Sequence, residues 1–241
     1  MRLLRSMLIP MTMPLAALLS LPVLLVTGSR QKCINFFTGL WADMSSALIG
    51  MKVVVEGQQY LVSPRPAVFI LNHQSNADGF LVAKLIRRDI AYLGKKELSR
   101  QLIRSRLMRL AGLIMVERQD AGKAGAAMQA LIGAIRNRGL SAAIFPEGSR
   151  SHSRKLTPFK KGAFLVALRA RVPIIPIVIQ NSIDVQPKGE KLYRPAEVCV
   201  QVLPPIETSE WRVKNIDQHI EEVRGLYLAV LDQCDEDSKN E

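Results

Sequence analysis

The chain has 241 residues and weighs 26.8 kDa; 48% of it is hydrophobic and 22% charged, with 33 Lys and Arg against 21 Asp and Glu, a net charge of +12. That apolar content supports one sizeable core plus an appendage, and it excludes wholesale disorder, collagen-like repetition and a multi-domain machine. Cys33, Cys199 and Cys234 lie far from one another and from His73, His152 and His219, so reduced thiols, no structural zinc and no metal or other cofactor are expected.

From the N-terminus, residues 6–29 form an uncharged, apolar run interrupted by Pro10, Pro14 and Pro22, with Arg2 and Arg5 on one side and Arg30 and Lys32 on the other. Its length suits a bilayer span, but basic flanks at both ends suit equally a hairpin that dips into one leaflet. A cleaved secretory signal is the alternative; the apolar run is long for one, and no small-residue cleavage site follows Val26. Residues 33–50 place Ile34, Phe37, Trp41, Met44 and Leu48 at helical spacing, which predicts an amphipathic second helix.

From residue 52 onward, β-branched runs alternate with helical periodicity. Strands are predicted at 52–56, 67–71, 90–93, 113–116, 141–145, 174–179 and 197–202, and helices at 77–88, 97–110, 120–138, 162–170 and 214–231. Residues 181–195 read as a loop. The alternation implies a three-layer α/β/α domain with a largely parallel or mixed sheet over 51–231, preceded by membrane-associated helices over 1–50 and followed by an acidic, disordered tail at 232–241.

The positive charge is local. Residues 84–118 carry a net +7 and residues 148–171 a further +7, leaving −2 for the rest of the chain. Such blocks suit a phosphate-bearing substrate, an acidic membrane surface or nucleic acid; a solvated basic surface explains them equally well. The predicted helix 97–110, with Leu98, Leu102, Leu107 and Leu110 beside Arg100, Arg104, Arg106 and Arg109, has the composition of a helix on anionic lipid.

The strand at 67–71 runs straight into Asn72, His73 and Asp78, and strand ends are where open α/β sheets collect ligands. His73 and Asp78 cannot share a helical face, but with Ser75 or Asn76 as N-cap the histidine can fold back from the preceding loop onto the carboxylate. A carboxylate on one imidazole nitrogen fixes the tautomer and leaves the other nitrogen as a base. A nucleophile is harder to find. Gly139-Leu140-Ser141-Ala142-Ala143 leads into a strand, the reverse of a serine-hydrolase elbow, and Ser149 and Ser151 lack flanking glycines. The base is therefore expected to activate a hydroxyl of the substrate. Near the next candidate strand end, at 145–151, Glu147 can accept from a substrate hydroxyl, Gly148 lets backbone amides approach an anion, and Arg150 offers a fork to phosphate, although a plain polar turn would read the same way. His152 has no acid at a matching offset, and His219, near Glu221 and Glu222, reads as a surface residue.

Four blocks carry a resemblance: Asn72-His73-Gln74-Ser75-Asn76-Ala77-Asp78, Gly112-Leu113-Ile114-Met115-Val116-Glu117-Arg118, Phe145-Pro146-Glu147-Gly148-Ser149-Arg150-Ser151 and Val172-Pro173-Ile174-Ile175-Pro176-Ile177. In order and spacing they resemble the motifs of the glycerolipid acyltransferase family, most of all its bacterial members that act on lysophosphatidic acid. The likeness extends over essentially the whole chain. It implies His73 as general base with Asp78 as its partner, and no covalent acyl-enzyme. It implies that Arg118, Glu147, Gly148, Ser149 and Arg150 bind the glycerol phosphate, with Lys95 and Lys96 as further phosphate ligands. Glu117 departs from the aspartate common in relatives and leaves Arg118 unaltered.

The expected activity is transfer of a fatty acyl group from acyl-CoA or acyl carrier protein to the sn-2 hydroxyl of lysophosphatidic acid. The expected place is an anionic membrane surface, the cytoplasmic face of the inner membrane, with no nucleic-acid partner. Rival readings are an acyltransferase for another lysolipid, such as a lysophospholipid or lyso-ornithine lipid, a non-catalytic basic membrane- or nucleic-acid-binding protein, and a lipid hydrolase.

Overall fold

The computed structural model describes residues 2–95, 113–116 and 121–240. Two helices, α1 (Arg2–Thr27) and α2 (Arg30–Ile49), precede the alternating domain. There follow β1 (Met51–Glu56), β2 (Val68–Leu71), α3 (Asp78–Leu85), β3 (Ile90–Lys95), β4 (Leu113–Val116), α4 (Ala121–Arg138), β5 (Ser141–Ile144), α5 (Gly162–Ala170), β6 (Ile174–Ile179), β7 (Ala196–Val202) and α6 (Ile216–Asn240).

The strands form one mixed sheet in the order β1-β7-β6-β2-β5-β3-β4. Every pair is parallel except β6 with β7, so β1 and β7 run opposite to the rest. The central strands β2, β5 and β6 are buried throughout, as a parallel sheet covered on both faces requires. Alternate residues serve opposite layers. Val68, Ile70, Ile144, Ile174 and Val178 meet Leu131 and Ile135 of α4, Phe164 and Ala167 of α5 and Ile220 and Val223 of α6. Phe69, Leu71, Ile175, Ile177 and Ile179 meet Phe80, Leu81 and Val82 of α3, Ile49 of α2 and Ile9 of α1.

These layers locate the site. The chain leaves β2 over one face, through α3, and leaves β5 over the other, through α5. The carboxyl ends of the two neighbouring strands therefore diverge into a crevice, the usual ligand position in such sheets. Beneath that end, the buried Tyr227 hydroxyl of α6 donates to Ile70 O at 2.6 Å and accepts from Ile177 N at 3.2 Å, bridging β2 and β6.

The N-terminal helices pack on each other and on the domain. Met13, Ala16 and Phe37 form their shared cluster, Thr12 and Ser45 hydroxyls meet at 2.9 Å, and Trp41 of α2 makes an edge contact with Phe80 of α3. Asp43 of α2 binds Lys84 of α3 and Arg87 just beyond it. The outer side of α1 leaves Leu3, Leu4, Met7, Met11, Leu15, Leu18, Leu25 and Val26 exposed, and α1 is long and apolar enough to cross a bilayer.

Three expectations change. Helix α3 begins at Asp78 without a side-chain cap from Ser75 or Asn76, because both side chains are bonded to Gln186. It ends at Leu85, short of the expected 88. Helix α6 continues to Asn240 through the acidic segment expected to be disordered; residues 232–240 contain no Gly or Pro to stop a helix already nucleated on the core. The expected helix 97–110 lies outside the described residues.

Candidate active site

The loop leaving β2 is held before its chemistry is considered. Asn72 pairs reciprocally with Ile179 of β6, donating to its carbonyl and accepting from its amide, both at 2.7 Å. Ser75 Oγ donates to Gln186 O and accepts from Ala77 N, while Asn76 donates to Gln186 Oε1. These bonds turn the chain so that His73 faces back toward α3.

His73 Nδ1 lies 2.6 Å from Asp78 Oδ2. The same oxygen accepts from the backbone amides of Gln74 and Ser75, each at 2.9 Å, and Asp78 is wholly buried in the first turn of α3. Two amides and the imidazole thus converge on one carboxylate oxygen at the start of the helix. Phe145 stacks on the imidazole with centroids 4.1 Å apart. Fixed by the acid on one edge and the phenyl on one face, the ring leaves Nε2 without a partner among the described residues, and 19% of the side chain stays exposed. The arrangement can take a proton from a group brought to Nε2 and stabilise the resulting imidazolium.

The segment after β5 forms the other wall. Glu147 is 4% exposed, and its carboxylate accepts from His73 N at 2.6 Å and from Thr157 N and Oγ1. Each oxygen thus already accepts from the chain's own donors. Gly148 N–H closes a turn onto Phe145 O, and the residue has φ +76, so its glycine character serves the turn itself. Ser149 is exposed and Arg150 half-buried, with its carbonyl accepting from Lys188 Nζ at 2.8 Å. Ser151 N–H donates to His73 O at 2.8 Å.

Of the residues singled out in the sequence, His73, Asp78, Glu147, Gly148, Ser149 and Arg150 therefore come together. Lys95 closes β3 at the same end of the sheet; Lys96 and Arg118 lie outside the described residues. His152 is exposed. His219 is not a free surface residue: it stacks on Trp211 at 4.4 Å and binds Glu222 at 2.8 Å. Sequence reading missed the ring partner Phe145, the clamp residue Thr157 and the latch Gln186. Only Phe145 stood within a recognised block.

No group of His, Cys, Asp and Glu suited to a metal occurs among the described residues. A cavity of about 810 Å³, lined by Ile132, Arg136, Arg169, Trp211 and Arg212 among others, opens at the opposite end of the sheet and includes neither member of the dyad.

Residues 52–180, which hold the crevice, the dyad and the clamped loop, match the family model described as Acyltransferase; the chain belongs to this acyltransferase family of α/β domains. It is 31% identical to the 1-acyl-sn-glycerol-3-phosphate acyltransferase of Salmonella typhimurium strain LT2 over 77% of this chain and 76% of that one. It is also 31% identical to the coconut (Cocos nucifera) protein of the same name over 82% of this chain, and 28% identical to the human alpha form over 92%. The chain spans 63% of the length of the coconut relative. In fold it is similar to the crystal structure of the 1-acyl-sn-glycerophosphate (LPA) acyltransferase PlsC from Thermotoga maritima, with a TM-score of 0.74 and 23% identity, covering 93% of this chain and 96% of that one.

Proposed function

We propose that the protein is a membrane-associated O-acyltransferase that moves a fatty acyl group from a thioester, acyl-CoA or acyl carrier protein, to the sn-2 hydroxyl of lysophosphatidic acid, giving phosphatidic acid. The observation that carries the reading is the 2.6 Å contact between His73 and the buried Asp78, with Nε2 left unpartnered on a partly exposed ring. The names of the Salmonella, coconut and human relatives support the acceptor.

In this mechanism the acceptor hydroxyl presents its proton to His73 Nε2 while its oxygen attacks the thioester carbonyl carbon. Asp78 holds Nδ1–H and offsets the charge of the imidazolium. The tetrahedral intermediate collapses with cleavage of the carbon–sulfur bond, and the leaving thiolate takes the proton back from His73. Oxygen gains an acyl group, sulfur gains a hydrogen, and the enzyme returns unchanged.

Arg118, Arg150, Lys95 and Lys96 are the proposed ligands of the acceptor phosphate, which sets the hydroxyl against the base. Glu147 contributes by holding His73 and Thr157, and Gly148 by permitting its turn. No metal or other cofactor takes part. The apolar outer stripe of α1 supports placement on a bilayer; the anionic, cytoplasmic face of the inner membrane is the proposed place, where lipid acceptor and soluble donor meet.

The test is incubation of the purified protein with lysophosphatidic acid and labelled acyl-CoA or acyl carrier protein. Labelled phosphatidic acid is expected. Release of free fatty acid at the same rate without acceptor would replace this reading with hydrolysis.

A further inference from the structure

Gly148, at φ +76, has the Lys160 side chain against its bare side. A Cβ placed there would stand 2.9 Å from Lys160 Nζ, 3.1 Å from its Cε and 3.2 Å from its Cδ. The outer half of the Lys160 side chain therefore lies along the glycine. Its backbone is tied to the same turn, Lys160 N–H donating to Pro146 O at 2.9 Å.

The ammonium so delivered is exposed and has no carboxylate partner among the described residues. Glu147, the acid of the adjoining turn, accepts from His73 and Thr157 and makes no ion pair with Lys160. The next residue, Lys161, differs: it pairs with Asp217 at 2.7 Å. One lysine of the pair is thus neutralised on the surface, and the other, without a carboxylate partner among the described residues, lies against Gly148, a glycine two residues from Arg150.

The geometry points to Lys160 as a substrate-positioning residue whose ammonium, lying against the bare side of Gly148, binds the phosphate of the acceptor lysolipid. This rests on the acyl-transfer reading above. A compact, strongly hydrated charge on a flexible stem suits a phosphate, which needs charge more than direction. Stabilising the tetrahedral intermediate calls for rigid donors already aimed at the oxyanion, which an exposed lysine is not.

The experiment is initial-rate kinetics with lysophosphatidic acid and acyl-CoA each varied, on wild type, Lys160→Met, Lys160→Arg and the control Lys161→Met, with circular dichroism to check folding. Loss of a charge-assisted hydrogen bond of about 1.5–3 kcal/mol converts to a rise of about 10- to 150-fold in KM for lysophosphatidic acid. Lys160→Met should show that rise with kcat within about threefold of wild type and KM for acyl-CoA unmoved. Lys160→Arg should recover most of the loss, and Lys161→Met should match wild type.

An unchanged KM in Lys160→Met, or a fall in kcat at constant KM, overturns the proposal while leaving acyl transfer intact. A wild type that transfers no acyl group overturns the acyl-transfer reading first, and this proposal with it.

Discussion

Asp78 Oδ2 gathers three donors, the His73 ring and two amides, while its Oδ1 is buried with no partner among the described residues. Replacing Asp78 with Asn leaves an amide oxygen that can take the place of Oδ2 but removes the negative charge that offsets the imidazolium. Asp78→Asn should lower kcat at least about 100-fold, within the range general-base catalysis supplies, and His73→Ala about 10²- to 10⁴-fold, with far-ultraviolet dichroism unchanged in the histidine variant. Near-complete turnover by His73→Ala would end the proposed mechanism. At this scale the sequence showed which residues belong together, because strand ends and paired motifs sit in contiguous blocks. It did not show what each does. Glu147 reads as a ligand for a substrate hydroxyl, yet in the folded chain it is bonded to an amide 74 residues earlier in sequence. Likewise Ser75 and Asn76 read as helix caps but bind Gln186, at separations of 111 and 110 residues. Local propensity gives way wherever a distant partner claims the same side chain.

At the scale of elements, the strands were legible to within a residue or two, because β-branched runs bounded by polar turns leave little choice of period. Less legible was how the strands at the site are tied together. Tyr227 stands in the last helix, where it reads as one more core residue, but its hydroxyl completes the β2–β6 ladder below His73. Tyr227→Phe leaves Ile70 O and Ile177 N without that partner, and should cost about 1–3 kcal/mol, read as a lower urea midpoint at constant m-value. Burial pushes this phenol well above its ordinary pKa of 10. Above pH 10 the unfolded chain then loses a proton that the folded chain keeps, so stability falls as pH rises, by about 1.4 kcal/mol per unit for this group. Tyr227→Phe should flatten the alkaline limb of a stability–pH profile; an identical limb in both proteins would contradict the assignment.

For the whole molecule, the relation of α1 and α2 to the domain matters most. The two helices are not a detached anchor, since Asp43 joins α2 to the end of the helix that begins at Asp78. Partial burial raises the pKa of Asp43, but bonds from Arg87 and Lys84 outweigh it and hold the carboxyl below its ordinary range. The bridge is therefore intact at neutral pH and is lost as pH falls through that lowered value. The sequence marked this region as apolar and flanked by charge, which suits a span or a re-entrant hairpin equally; the docking depends on contacts such as Trp41 with Phe80 that no spacing encodes. On the outer stripe, Leu15→Asp with Leu18→Asp should reduce co-sedimentation with anionic vesicles at least about tenfold without lowering Tm, because both side chains are exposed. Unaltered vesicle binding would remove α1 from the membrane contact.

His73 is grasped on both sides of its backbone, its amide by Glu147 and its carbonyl by Ser151. The imidazole can tilt but cannot travel without the 147–151 strip, and that strip also carries Arg150. If the phosphate clamps there, base and clamp form the two jaws of a caliper whose gap is set by the backbone. Such a gauge measures how far an alcohol lies from its phosphate, so the choice among the positions of a glycerol would be decided by geometry before any bond is made.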